Sequence, residues 1–472
     1  MAEPSMLERS QSRSRMSLLA AAFPCFGLWT MHTWILWLNS NKPYPSGSGD
    51  SWFSLYLAQS VFLIVMAVAF RRAEKPNRTR MQASDVVLTA IGCATTALYA
   101  VGSSAVAFPP LLSGAVVALG GVCLGWGYLR WGVFYSGLAL RNALGCIFAA
   151  CILGAVAKSI ITALPAEAGT AAACCLPLLS TMFLSRSFKR QQPLPTTDIR
   201  YTAETFGSLW KVFACVAAYA FVYTFIGGLP SMYDNPLPNA SLLGHVIEVA
   251  VSLLILWWVV VKRRSVSFAQ LWRGIMLLIG AMLVLSVFEP TAGLQAMCST
   301  SISYLVVVFL WLLLSDIAHH SNLHPYVVFG LGWLAYTLPN YLGRLLGSSG
   351  LVAPAMSPTL ALVLLFAIMI ALSLLLDYRD PTMQRIFSDL DESSPAPHDF
   401  ALIDERCAAI GKQHDLTVRE IEVMQLLCKG RSKAYIAETL FIAENTVRGH
   451  ARRLYAKLDV HSKKELQELI DV

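Results

Sequence analysis

The sequence predicts an all-α fold: a polytopic membrane helix bundle, with about twelve spans in two groups of six, followed by a small C-terminal domain of four helices. Three observations predict it. The 472 residues are 56% hydrophobic and only 14% charged, which is too apolar for an ordinary soluble protein. The apolar residues form runs of about 20, enough for a helix to cross roughly 30 Å of hydrocarbon. The last part of the chain is polar and repeats its apolar positions at helical spacing.

Twelve apolar runs define the predicted membrane domain, residues 17–378. They begin near Ser17, Trp52, Ser84, Leu111, Leu138, Gly169, Leu209, Ser241, Ala269, Ala292, Pro325 and Ser357. The polar segment from Ser185 to Ser208 divides them into six plus six. This arrangement resembles the major facilitator superfamily, whose two halves surround a central cavity. The loop RRAEKPNRTR lacks the Gly and Asp of that family's signature, so a transport function does not follow from the resemblance.

Basic side chains in the short loops predict the orientation of the bundle, because their translocation across a membrane is costly. One set of loops carries Arg71, Arg72, Lys75, Arg78, Arg80, Arg130, Arg141, Arg186, Lys189, Arg190, Lys262, Arg263 and Arg264. The opposite set carries Lys42, Asp50, Glu167, Asp234 and Glu289. Residues 1–16 and the C-terminal tail share the side of the basic set. Both termini are therefore predicted to be cytoplasmic, and the formal charge of +7 follows mainly from topology.

The composition changes sharply after Leu376. Residues 379–400 are charged and then rich in Ser and Pro, which is typical of a linker. A helix is expected over about 401–412, at the start of a C-terminal domain that covers residues 401–472. From Leu416 the apolar positions recur at helical spacing in four blocks. The blocks are Ile421, Met424 and Leu427; Ile436, Ala437 and Leu440; Val447, Ala451, Leu454 and Leu458; Leu466 and Leu469.

Local signals place the ends of these helices and single out the third one. Thr417 and Glu420 have the spacing of a capping box, Gly430 is expected to end the first helix, and Ser432 to cap the second. The third helix carries four basic residues and only one acidic residue, Glu444. The basic residues are Arg448, Arg452, Arg453 and Lys457. Such a helix is typical of one that meets DNA phosphates and bases, and the alternative is a solvated face.

The tail resembles the LuxR-type helix-turn-helix domain of bacterial regulators. The matching residues are Leu416, Thr417, Arg419, Glu420, Glu422, Val423, Gly430, Ser432, Ile436, Ala437, Leu440, Thr446, Val447, His450, Lys457 and Leu458. The resemblance implies that Ser432–Leu440 supports a recognition helix, Glu444–Leu458, which enters the major groove of duplex promoter DNA. It also implies that the last helix helps to form a homodimer.

The same resemblance implies a set of DNA-binding residues. Arg448 and Arg452 hold positions that reach bases or phosphates, and Arg can bind guanine through two hydrogen bonds. The rest of the set is Thr446, Val447, His450, Arg453 and Lys457. Two positions depart from the family pattern: Ala443 replaces a common Ser cap, and Gly449 stands where a base-reading side chain could lie.

Four ionisable residues fall inside predicted spans, where a charge is costly. They are Lys158, His245, Glu248 and Arg344. The predicted topology places all four in the outer half of the bilayer. Two interpretations stay open: the residues line a cavity for an unknown small-molecule ligand, or they are structural pairs, with Arg344 reaching the membrane interface.

Other patterns indicate no further site. His320 and His324 have the i, i+4 spacing of metal ligands, near His319 and Asp316, but a His-rich loop is the simpler interpretation and no metal or cofactor is predicted. The eleven cysteines lack paired spacing, so free thiols are expected. Close helix packing is predicted at Gly121, Gly125, Gly343 and Gly347. No nucleophile–base pair or phosphate loop indicates an enzyme.

Together these patterns predict a multi-pass protein of the bacterial cell membrane that regulates transcription. Its membrane domain would bind a small molecule, and its tail would bind a promoter. The alternative is a secondary transporter with a fused regulatory DNA-binding domain.

Overall fold

The computed structural model is helical, and the residues it describes form no β-strand beyond an isolated bridge between Tyr201 and Ser321. The described residues are 23–40, 50–76, 79–104, 108–191, 199, 201–202, 206–228, 240–262, 270, 272–277, 292–349, parts of 363–374, 386–390, 400–428, 436–437, 439–440, 442–462, 465–466 and 469. The chain forms two compact units. The first comprises residues 1–262 and 266–388, and the second comprises 263–265 and 389–472.

Helices of the first unit coincide with the predicted spans. Those with complete bounds are α1 (Leu28–Ser40), α2 (Asp50–Ala69), α3 (Ala83–Ser104), α4 (Pro110–Ser136), α5 (Leu140–Ala163), α6 (Ala166–Arg190), α7 (Phe206–Gly228), α8 (Ala240–Leu256), α9 (Ala292–His319) and α10 (Pro325–Ser348). Residues Trp257–Val261 continue α8 as a π-helical turn. Helical residues at 272–277 and within 363–374 lie in the ninth and twelfth predicted spans. The predicted all-α fold is confirmed.

Several of these helices have the length and the apolar outer face of membrane spans. Among the described residues, four stretches are long and apolar enough to cross a membrane: Ala83–Val101, Leu111–Ser136, Leu140–Ala163 and Ala166–Arg190. Apolar side chains cover the outside of the unit, including Val61, Val65 and Val68 on α2, each more than half exposed. Such a face is unfavourable in water and suits contact with lipid chains.

Helix pairs from both parts of the chain build the bundle. α1 packs on α5, α2 on α4, and α3 on α4 and α6, while α7 packs on α10 and α8 on α9. Contacts of α2 with α10 and of α5 with α8 join the two groups. A Cβ atom at Gly121 would overlap the Leu55 carbonyl oxygen of α2, and one at Gly343 would overlap the Phe221 carbonyl oxygen of α7. The close packing predicted at these two glycines is confirmed.

The sequence analysis places Arg130 in a loop, but the residue lies inside α4, where it forms a buried ion pair with Asp85. Its Nε and Nη2 atoms donate to the two carboxylate oxygens of Asp85 on α3, at 2.7 and 2.8 Å. Nη1 donates to the Tyr326 hydroxyl of α10 at 3.1 Å, and Trp126 Nε1 donates to Asp85 at 2.9 Å. The guanidinium also lies 4.8 Å from the centre of the Phe188 ring. The pair therefore joins three helices.

Other basic residues predicted in loops belong to helix ends. Arg186, Lys189 and Arg190 lie in α6, and Arg141 lies in the first turn of α5. A cation in the last turn stabilises α6, because the terminal carbonyl groups carry partial negative charge. These loops are therefore shorter than predicted.

The second unit has its own core. Its helices with complete bounds are α11 (Phe400–Gln413), α12 (Val418–Cys428) and α13 (Glu444–Leu458). The core residues are Cys407, Leu416, Val423, Met424, Leu427, Cys428, Ile436, Val447, Ala451, Leu454, Leu458, Val460 and Leu466. All of them lie between residues 407 and 466, so the unit closes its core without the bundle and can fold independently. Leu469, predicted in an apolar block, is 42% exposed instead.

The start of α12 follows its sequence signal. The Thr417 backbone N–H donates to Glu420 Oε2 at 2.9 Å, and the Glu420 backbone N–H donates to the Thr417 hydroxyl at 3.3 Å. The predicted capping box is confirmed. Gly430 and Ser432, which were expected to end one helix and to start the next, lie outside the described residues.

Replacing Arg130 with Ala tests the buried ion pair. The variant leaves the Asp85 carboxylate buried without its cation, so we expect a loss of roughly 3–5 kcal/mol of stability. The measurements are accumulation in the membrane and the thermal unfolding midpoint of the purified chain. Arg71→Ala, at an exposed position, is the matched control. A wild-type midpoint for Arg130→Ala would show that the pair does not stabilise the bundle.

Candidate functional sites: a polar cluster in the bundle and a basic helix

Three of the four predicted cavity residues lie together. On α8, His245 Nδ1 is 3.0 Å from Glu248 Oε2, and both side chains are buried. Lys158, buried on α5, interacts electrostatically with Glu248. Arg344 is half-buried on α10 and interacts with Tyr223 of α7, which also interacts with Glu248. The structure thus groups Lys158, His245 and Glu248 and places Arg344 at their margin.

Three further residues, absent from the sequence prediction, complete this polar cluster. Ser252 donates to the Glu248 carbonyl oxygen at 2.7 Å, and its hydroxyl is 2.5 Å from that of Tyr304 on α9. The His32 ring of α1 lies 6.1 Å from the Tyr304 ring. His32 also interacts electrostatically with Lys158 and Glu248. We call His32, Lys158, His245, Glu248, Ser252 and Tyr304 the polar cluster.

One atom of the polar cluster is unsatisfied. His32 Nε2 is buried and has no hydrogen-bond partner among the described residues. A buried polar atom without a partner is unfavourable by about 1–3 kcal/mol. A water molecule or a polar ligand atom would remove that penalty. His32 could not be predicted as a member of the cluster, because it is a single histidine 126 positions before Lys158 in the sequence.

The histidines near the end of α9 are not a solvated loop. His319 belongs to α9, is buried, and its Nδ1 lies 2.7 Å from the Ser136 carbonyl oxygen. His320 Nε2 is 3.8 Å from Asp316 Oδ1, with both side chains buried. His324 caps α10, and burial lowers its pKa to about 4. These residues hold the end of the bundle together.

In the second unit, one face of α13 is part of the core. Val447, Ala451, Leu454 and Leu458 are buried. The prediction that Val447 contacts DNA needs correction, because its side chain has no exposed surface and packs inside the unit. At the start of α13, Ala443 makes no side-chain cap hydrogen bond. This agrees with the departure noted in the sequence.

A second face of α13 is tied to α12. Lys457 Nζ donates to Glu420 Oε2 at 2.8 Å and to the Asp415 carbonyl oxygen at 2.9 Å. Arg453 Nε lies 3.9 Å from Glu420 Oε1, and Arg453 Nη2 lies 3.2 Å from His450 Nδ1. Thr446 is exposed on the same flank. Lys457 therefore attaches α13 to Glu420 of α12, and its predicted contact with the DNA backbone stays a prediction.

Glu420 is the centre of that attachment. Its side chain is only 3% exposed. Burial alone would raise the pKa of this carboxyl group, but hydrogen bonds from Lys457 and from the backbone and hydroxyl of Thr417 outweigh it and lower the pKa from 4.5 to about 2. Glu420 is therefore ionised at neutral pH and holds α13 against α12.

The outer face of α13 carries Arg448 and Arg452, one turn apart. Arg448 is 61% exposed, and its Nη2 donates to Glu444 Oε1 at 2.8 Å. An exposed i, i+4 pair contributes only about 0.5 kcal/mol, so Arg448 can exchange Glu444 for another anion. Arg452 is exposed. Beside them is a groove of about 560 Å³ that is also lined by Ala451, Tyr455, Ala456, Asp459, Val460 and His461.

Asn445 is a surface residue that the sequence prediction missed. It is exposed and lies three residues before Arg448 and seven before Arg452, hence on their face of α13. An Asn amide can bind adenine through two hydrogen bonds. Gly449 lies beside it, and a Cβ atom there would meet nothing within 4 Å. The outer face is therefore open to an approaching ligand.

Residues 414–470 match the family model of the bacterial regulatory proteins of the luxR family. These residues form a LuxR-type helix-turn-helix domain. The match covers a small part of the chain, and the curated relatives agree over the same region. The oxygen regulatory protein NreC of Staphylococcus haemolyticus is 43% identical over 53 residues, 11% of this chain and 24% of that protein.

Two further relatives give the same picture. The transcriptional regulatory protein DegU of Brevibacillus brevis is 42% identical over 50 residues, 11% of this chain and 21% of DegU. A nitrate/nitrite response regulator protein homolog of Haemophilus influenzae is 48% identical over 48 residues, 10% of this chain and 23% of that protein. The chain spans about a quarter or less of the length of these relatives, all within its LuxR-type domain.

Two solved structures align with most of the chain. The human organic anion transporter MFSD10 (TETRAN) aligns with a TM-score of 0.48 and 15% identity, over 75% of this chain and 98% of that one. The nucleoside transporter NupG aligns with a TM-score of 0.41 and 12% identity, over 76% and 98%.

Glu420 makes the stability of the LuxR-type domain depend on pH. Because the folded pKa lies near 2 and the ordinary value is 4.5, the stabilisation is complete above pH 4.5 and is lost as the pH falls towards 2. The difference corresponds to at most about 3 kcal/mol, reduced by solvent at the partly exposed Lys457. Glu420→Gln should remove it.

Urea unfolding of residues 400–472 between pH 6 and pH 2 measures this effect. Glu422→Gln, which removes an exposed pair with Arg419, is the control and should keep the wild-type pH dependence. Equal pH dependence in wild type and Glu420→Gln would show that Glu420 does not anchor α13.

Proposed function

We propose that this protein is a membrane-bound one-component transcription regulator, in which a small molecule bound inside the helix bundle changes DNA binding by the LuxR-type domain. The observation that carries the proposal is the presence of both parts in one chain: an apolar helix bundle with a buried polar cluster, and a LuxR-type domain with an open basic face. DegU is named a transcriptional regulatory protein, and the other two relatives are named as regulators.

On the DNA side, the outer face of α13 is proposed to read the major groove. Arg448 and Arg452 are exposed and one turn apart, and Asn445 shares their face. Arg can bind guanine and Asn adenine, each through two hydrogen bonds. Thr446, His450 and Arg453 flank that face and are proposed to contact the DNA backbone.

Dimerisation through the last helix is part of the same proposal. That helix starts with a cap in which the Glu465 backbone N–H donates to the Ser462 hydroxyl at 3.1 Å and the His461 backbone N–H donates to Glu465 Oε2 at 2.8 Å. Two paired domains would read half-sites about one DNA turn apart. Because DNA is cytoplasmic, both ends of the bundle are proposed to face the cytoplasm.

On the membrane side, the polar cluster is the proposed ligand site. It combines charged groups, hydroxyls and the unsatisfied His32 Nε2 on four helices, α1, α5, α8 and α9. A ligand that contacts several helices can favour one arrangement of them over another, which is the requirement for ligand-driven switching. The alternative, transport of the same molecule, is distinguished by uptake into vesicles that contain the purified chain.

DNA binding by residues 400–472 tests the reading face. Arg448→Ala and Arg452→Ala should each weaken binding to a promoter fragment that the wild-type domain binds by about tenfold or more, the usual cost of losing one good base contact. Binding should also fall steeply with salt, because each neutralised phosphate releases counterions. Fluorescence anisotropy measures both effects. Arg419→Ala, on α12, is the control, and wild-type affinity in both α13 variants would reject the assignment.

Thermal unfolding of the full chain in detergent tests the ligand site. A panel of small organic acids, amines and neutral aromatic compounds is screened for compounds that raise the unfolding midpoint. Glu248→Gln and Lys158→Met should abolish or shift the response to such a compound, because either change alters the charge of the cluster. Glu167→Gln, an exposed acid on α6, is the control. Unchanged dose dependence in both cluster variants would place the ligand elsewhere.

A further inference from the structure

A short segment just ahead of the second unit is packed into the first. Ile386 and Phe387 are each 2% exposed, although the sequence assigns them to the linker. They belong to the first unit, and the second begins at Asp389. The Phe387 backbone N–H donates to Asp316 Oδ2 of α9 at 3.3 Å, and the Phe387 ring lies edge-on to the Phe309 ring of α9, 6.2 Å away.

Asp316 holds more than this segment. It has no exposed surface, and its Oδ2 also accepts a hydrogen bond from the Tyr201 hydroxyl at 2.8 Å. Tyr201 lies just before α7, and its backbone N–H donates to the His320 carbonyl oxygen at 3.2 Å. Lys75, between α2 and α3, donates to the carbonyl oxygen of Ala318 at 2.7 Å. The C-terminal end of α9 therefore contacts Lys75, Tyr201 and Phe387, which come from both groups of helices and from the segment that leads to the LuxR-type domain.

The packed segment is held in an unfavourable backbone conformation. Phe387 has a φ of 62°, in the left-handed region that bulky L residues rarely adopt. Such a conformation persists only while surrounding contacts impose it. The hydrogen bond to Asp316 and the ring contact with Phe309 are two of the contacts that hold Phe387 in this conformation, so their loss would favour its release.

α9 connects this segment to the polar cluster. Tyr304, whose hydroxyl meets Ser252, lies twelve residues before Asp316 on the same helix. That separation is roughly 18 Å at 1.5 Å per residue. Both residues lie on one continuous helix, and a rigid secondary-structure element is a physical route by which two sites can be coupled.

We propose that Ile386–Phe387 is a latch that α9 holds through Asp316 and Phe309 and that a change at the polar cluster releases. Release would lengthen the free tether of the LuxR-type domain and so change the local concentration at which two domains, or one domain and its DNA, meet. The regulatory part of this proposal rests on the proposed function, whereas the packing of the segment can be tested without it.

Proteolysis of the full chain in native membranes tests the latch directly. The bond between Arg385 and Ile386 is a trypsin site by sequence, and the burial of Ile386 should protect it. Asp316→Ala removes the acceptor for Phe387, and the bond should then be cut at least about tenfold faster, as expected when a local structure opens. Ser321→Ala, a buried hydroxyl in the same region, is the matched control and should behave as wild type.

Phe387→Ala removes the ring contact with Phe309 and should also release the segment. This second variant keeps the test decisive if Asp316→Ala does not accumulate in the membrane. Mass spectrometry identifies the fragment that begins at residue 386. Cleavage at the same rate in wild type and in the variants that accumulate would overturn the latch.

The regulatory role is tested by output from a promoter that the full chain occupies in cells. Both latch variants should change basal output by about fivefold or more, a modest change in effective concentration, and Ser321→Ala should not. Faster cleavage after Arg385 with unchanged promoter output would show that the segment packs on α9 but has no regulatory role. If Arg448→Ala also leaves promoter output unchanged, the proposed function fails. That failure can be told apart from failure of the latch, because the rate of cleavage at Arg385 does not depend on DNA.

Discussion

A charged or polar side chain inside an apolar helix bundle needs a polar partner within the protein, because neither lipid nor packed apolar side chains can hydrogen-bond to it. Much of the described bundle follows from this constraint. Arg130 and Asp85 join α3 and α4 through two parallel hydrogen bonds, and Asp316 gathers Tyr201 and Phe387 at the end of α9. Each pairing is costly to break, so it also fixes which helices move together.

The LuxR-type domain exposes Arg448 and Arg452 of α13 to solvent and at the same time holds that helix against α12. Its core lies within its own residues, and Glu420 binds one flank of α13 through Lys457. The opposite flank stays open around Gly449. The cations of α13 therefore differ in their contacts: Lys457 attaches the helix to α12, whereas Arg448 and Arg452 are exposed.

Local signals carried the parts of this fold that could be predicted from sequence. Apolar periodicity located the helices, and the spacing of Thr417 and Glu420 predicted the capping box, because both act within a few residues. The partnership of Arg130 with Asp85, 45 residues apart, could not be predicted, since it depends on how helices pack. His32 was missed for the same reason. Val447 was assigned to DNA contact from its position in the family pattern, and such a pattern does not show whether a side chain points to the core or to solvent.

If the protein regulates transcription as proposed, its LuxR-type domain occupies specific promoters while the chain is in the membrane. Chromatin immunoprecipitation with sequencing in the native host, comparing the full chain with a chain truncated after residue 399, tests it most directly. We expect discrete peaks upstream of genes for the full chain and none for the truncated one, with the full chain recovered in the membrane fraction. Indistinguishable profiles for the two chains would contradict it.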